Sequence, residues 1–82
     1  MDDALAVVAE AIRALGQRDP ATARAAMAEA VDRDRDLGRI ADAMALVSTE
    51  LESEGSISDA AWNALADACP AELRHLIELG RM

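Results

Sequence analysis

The sequence predicts an all-α protein, a small bundle of four to five helices arranged as antiparallel hairpins. Three observations carry that expectation. Apolar residues recur three and four apart almost throughout the 82-residue chain, and no segment alternates with the two-residue period of a strand. Alanine, the strongest helix former, is the commonest residue. The stripes are also separated by turn signals: Gly16, the stretch "ESEGSISD", and Cys69-Pro70.

Leu5, Val8, Ile12 and Leu15 are spaced three, four and three apart and mark the apolar face of the first helix. Asp2 or Asp3 can cap its start, and Gly16 can supply the left-handed residue that commonly ends a helix. The second helix begins with Asp19 as cap and Pro20 at the first helical position, where a missing N–H costs nothing. Its narrow seam is Ala23, Met27, Ala30 and Val31.

A third segment carries Leu37, Ile40, Met44, Val47 and Leu51 and ends in the serine-rich loop around Gly55. Ser56 or Ser58 can cap a fourth helix bearing Ile57, Ala61, Trp62 and Leu65. Cys69 precedes Pro70 and is pushed out of helical geometry, which ends that helix. A short last helix then presents Leu73, Leu76 and Ile77 and stops near Gly80.

The stretch "VDRDRDLGR", Val31 to Arg39, admits two readings. As a calcium loop starting at Asp32 it places Asp32, Asp34 and Asp36 at positions 1, 3 and 5. Position 6 is then Leu37, with Gly38 one place late, and position 12 is Ala43, so the bidentate ligand is missing. As helix, the stretch sets Asp32 opposite Arg35 and Arg33 opposite Asp36 at three-residue spacing. The seam through Met27 and Ala30 extends by Asp34, Leu37, Ala41 and Met44, with Asp34 its only charged member. The expectation is one continuous helix from Asp19 to Ser53, kinked near Gly38, with a break between two helices at that glycine as the alternative.

The length suits one domain, 1–82, which buries only about 60% of the surface its unfolded chain exposes. Phe and Tyr are absent and Trp62 is the only aromatic residue, so Trp62 is expected to be the main space-filler of a thin core. Such a core gains from covering an apolar face with a partner or a second copy. Sixteen acidic residues against eight basic give a net charge of −8. That charge disfavours nucleic acid and anionic lipid and favours a basic partner surface. A single cysteine, Cys69, allows no internal disulfide framework and suits a reducing, cytoplasmic location. The acidic start, interrupted by Glu10 and Arg13, reads as neither signal peptide nor membrane span.

Reactive groups are sparse. Glu72 and His75 form a Glu-x-x-His pair, half of a di-iron carboxylate site that only a symmetric dimer would complete. Cys69 is a reactive thiol only if it opens the last helix, and a buried structural thiol is the simpler reading. No phosphate cradle or Cys-x-x-Cys pair is present, and no cofactor is implied.

Leu5, Val8, Ala9, Ile12 and the Leu15-Gly16 pair, followed by Ala23, Met27, Ala30 and Val31, resemble a tetratricopeptide hairpin over Leu5 to Asp34. Aliphatic residues stand at the family's aromatic positions. Asp32 and Asp36, with "PAELR" at Pro70 to Arg74, are similar to motifs of the phosphate-uptake regulator family. Both resemblances imply binding or regulation and not catalysis.

The sequence therefore leads to a non-catalytic protein–protein interaction or regulatory module that self-associates. Met27, Met44, Leu51 and Trp62 are its candidate interaction residues. The alternative is a metal-binding helical protein using Asp32, Asp34 and Asp36, or a Glu72/His75 half-site completed in a dimer.

Overall fold

The computed structural model describes residues 3–81, and among these five α-helices follow one another: α1 (Asp3–Gly16), α2 (Pro20–Arg33), α3 (Gly38–Glu54), α4 (Asp59–Ala68) and α5 (Ala71–Arg81). Each helix packs on the next in the chain, and α5 closes the ring by packing on α1. Two of these sequential pairs, α2 with α3 and α4 with α5, run antiparallel. Arg24 near the start of α2 bonds Thr49 and Glu52 near the end of α3, and Arg81 at the end of α5 bonds Asp59 and Asn63 at the start of α4. Among the described residues no helix is long and apolar enough to cross a membrane.

The core fills the middle of the ring. Val8, Ile12 and Leu15 of α1 meet Met44 and Val47 of α3, Leu65 of α4, and Leu73 and Ile77 of α5 in one buried cluster. The third-segment stripe is buried in full from Leu37 to Leu51, while Leu5, Ile57 and Leu76 are only half-buried. The first helix buries more than its leucine stripe, because α2 and α5 flank it on two sides. Ala4, Val7, Ala9, Ala11 and Ala14 are covered as well. Alanines at those positions let neighbouring backbones come close.

Local chemistry accounts for the helix ends. Asp19 caps α2: its carboxylate accepts the Thr22 N–H at 3.1 Å and the Thr22 hydroxyl at 2.6 Å. Those two bonds, the hydroxyl's first, hold the Asp19 carboxyl below its ordinary value. The stability they add is present above the unfolded carboxyl's pKa and lost as pH falls through the folded one. Ser58 caps α4 by accepting the Ala61 N–H, and Glu50 grips Ser58 through both carboxylate oxygens. Gly55, left-handed with φ 76°, ends α3. Cys69 is extended before Pro70, which separates α4 from α5. Of the two caps expected for α1, Asp3 is the first residue of the helix, and Asp2 lies outside the described residues.

Two expectations are corrected. Gly16 is not left-handed; that role falls to Arg18, with φ 60°. Arg18 and Asp19 donate their N–H groups to the carbonyls of Leu15 and Ala14, the paired bonds of a Schellman end. Gly16 stays helical, and a Cβ there would come within 3.0 Å of the Gly80 Cα. Its lack of a side chain serves the contact of α1 with α5.

The second correction concerns Asp19–Ser53, which is two helices and not one. The break falls at Asp34, extended at φ −150° and ψ 104°, with a short 3-10 turn at Arg35–Leu37 before α3. Asp34 is the charged member of the extended seam, so a continuous helix would carry its carboxylate into the core at high cost. Breaking there frees Asp34 to accept the Asp36 N–H at 3.0 Å. Gly38 is right-handed and simply opens α3. With the helix interrupted, Arg33 pairs with Glu29 at 3.0 Å, and the expected Asp32–Arg35 and Arg33–Asp36 pairs are not made.

Ser48 has the one buried side-chain oxygen without a hydrogen-bond partner among the described residues. It is fully covered on α3 and caps nothing. An unpaired buried hydroxyl costs about 1–3 kcal/mol. Ser48→Ala is therefore expected to stabilise the fold by about 1 kcal/mol and raise Tm by roughly 4–8 °C in a thermal melt. An unchanged or lower Tm would show that the hydroxyl has a partner after all.

Candidate functional site

The three aspartates do not form a metal cage. Asp32 and Asp36 are exposed, and Asp34, half-buried, is engaged by the Asp36 N–H. Among the described residues no group of three His, Cys, Asp or Glu side chains stands close enough to hold a metal ion. Glu72 and His75 are both exposed on α5 and line, with Glu10 and Arg13 of α1, a crevice of about 210 Å³.

Cys69 is buried at the end of α4 and not at the start of α5. Burial pushes its thiol from 9.0 up to about 11, and the positive charge of Arg74 offsets this only in part. The group is a neutral thiol near neutral pH, which removes its nucleophilic form. A disulfide reagent at about pH 8 is expected to leave the native protein unlabelled and to modify one thiol per chain in denaturant. Rapid labelling of native protein would place the sulfur at the surface. Because burial penalises the thiolate, the fold loses stability as pH rises from 9.0 through about 11, where the unfolded chain ionises first.

The candidate interaction residues Met27, Met44, Leu51 and Trp62 are all buried within this chain. Met27 and Met44 differ from the other two, because they also form the floor of an open groove of about 380 Å³ between α2 and α3. Ala28 and Val31 of α2 make one wall, and Ala41 and Ala45 of α3 make the other. Ala28 and Ala45 are exposed, and Val31 and Ala41 are half-covered. Arg24 and Asp32 stand on the α2 side. Arg24 is held by Thr49 at 2.9 Å and Glu52 at 2.6 Å, both through Nη2. The Asp32 side chain makes no hydrogen bond or ion pair among the described residues.

The groove exists because the seam of α2 is narrow. Only Ala23, Met27 and Ala30 of that helix are fully buried, and alanine fills little of the space between two helices. Flexible methionine side chains then lie where branched residues would have closed the gap. The sequence pointed to Met27 and Met44 as interaction residues and placed Ala41 on the same seam, but did not single out Arg24, Ala28 and Ala45. The available signal was the unusual number of alanines on the polar side of the second helix. A smaller crevice of about 240 Å³ lies between the ends of α1 and α5, beside Leu79. Leu79 is 60% exposed and Leu46 of α3 is 71% exposed.

No protein-family model, curated protein or solved structure matches the chain.

Proposed function

We propose that this chain is a non-catalytic protein–protein interaction module of the cytoplasm that associates with itself. The α2–α3 groove carries the reading: it is apolar, open, floored by two methionines and edged by exposed alanines. An apolar concavity of that kind is a place where another helix can lie. The thin core supports the reading further, since association would cover surface that the chain alone cannot. The resemblance of Leu5–Asp34 to a tetratricopeptide hairpin points in the same direction, because such repeats act by binding protein. The scattered polar groups and the neutral Cys69 thiol offer catalysis no starting point.

Sedimentation velocity from about 10 μM to about 1 mM tests the reading. A concentration-dependent rise from monomer toward dimer is expected. A monomer at the highest concentration would end the self-association part.

A further inference from the structure

Arg24, Ala28 and Asp32 succeed one another at four-residue steps along the groove side of α2, so they stack on one face of the helix. A cation stands at one end, an anion at the other, and a methyl group halfway between. Reversing the helix exchanges the two charges and leaves Ala28 in place. A pattern complementary to its own reverse is what a twofold, isologous contact requires.

Resting on the self-association reading, we infer that a second copy of this chain docks at this face. Its α2 lies antiparallel to the first about a twofold axis at Ala28. Arg24 of each copy then faces Asp32 of the other, and Val31 faces Ala25. Ala25 is exposed and small, as is Ala28 at the crossing, so the helices can approach to about 8 Å. Arg24 is paired with Glu52 in its own chain, but only through Nη2, which leaves its other guanidinium N–H groups to donate across the contact. The Asp32 side chain has no partner in its own chain.

The test exchanges the charges. Arg24→Glu alone sets like charges opposite Asp32, and Asp32→Arg alone sets like charges opposite Arg24. Each variant is expected to weaken dimerisation roughly tenfold. An equimolar mixture of the two is expected to form a heterodimer of wild-type affinity, because both facing pairs are again opposite in sign. Arg24→Glu also loses the Glu52 pair, so helicity and Tm are followed for both variants; Asp32→Arg disturbs no contact within its chain. Wild-type protein that stays monomeric at about 1 mM overturns self-association and this interface together. Wild-type dimers matched by equally tight dimers of both variants overturn this interface alone. Variants that weaken but do not recover on mixing overturn the twofold Arg24–Asp32 pairing.

Discussion

Trp62→Ala is expected to destabilise the protein by about 3–5 kcal/mol, measured as a lower midpoint in urea with an unchanged slope. Total stability for 82 residues is of the order of 4–12 kcal/mol, so the variant stands at the edge of unfolding. The side chain is 3% exposed, and its ring reaches from α4 to the last turn of α5, where a Cβ on Gly80 would lie 3.3 Å from Cη2. No other aromatic residue is present to collapse into the hole, and Gly80 beside the ring has no side chain to extend into it. Circular dichroism that loses its helical minima would agree with the expected loss. A midpoint within about 0.5 kcal/mol of wild type would mean that Trp62 is a surface residue.

Most of the architecture was legible because helical period and chain punctuation agree. Asp19-Pro20, Ser58 and Cys69-Pro70 mark their boundaries through chemistry that acts within three residues. The stripe from Leu37 to Leu51 is buried as its spacing implies. What escaped was decided by neighbours distant in sequence. Gly16 reads as a helix terminator, yet its position is dictated by Gly80, 64 residues further on. The break at Asp34 was encoded as one charge in an apolar seam, but local pairing at Arg33 and Arg35 argued for continuity. Burying a carboxylate outweighs a few tenths of a kcal/mol from each exposed pair.

The candidate site was half-legible for a related reason. Met27 and Met44 stand out as large apolar side chains, and both prove to be core and groove floor at once. The walls, Val31 apart, are alanines, which read as helix propensity whether buried at Ala23 or exposed at Ala28. Alanine's small side chain contributes little to an amphipathic pattern, so a face made of it is hard to find by periodicity. Only the placement of α3 beside α2 shows that a gap remains between Val31 and Ala41.

Gly16→Val is the second large effect, with an expected loss of about 2–3 kcal/mol. In an ordinary helix the change would be mildly favourable, since glycine is about 1 kcal/mol worse than alanine and valine lies between them. Here the first added carbon already meets the Gly80 backbone at 3.0 Å, and two further methyl groups must find room beyond it. Backbone cannot rotate aside as a side chain would. The last turn of α5 is also tied to α4 through Arg81, which holds Asp59 and Asn63 at 3.2 Å. Accommodation therefore means prising α5 from α1 and disturbing Trp62 behind it. Gly16→Ala should lose less, because its gain in propensity of about 1 kcal/mol offsets part of the clash. The ordering wild type, alanine, valine in urea midpoints is the discriminating result. A valine variant as stable as wild type would show that the two helices do not meet at this pair of glycines.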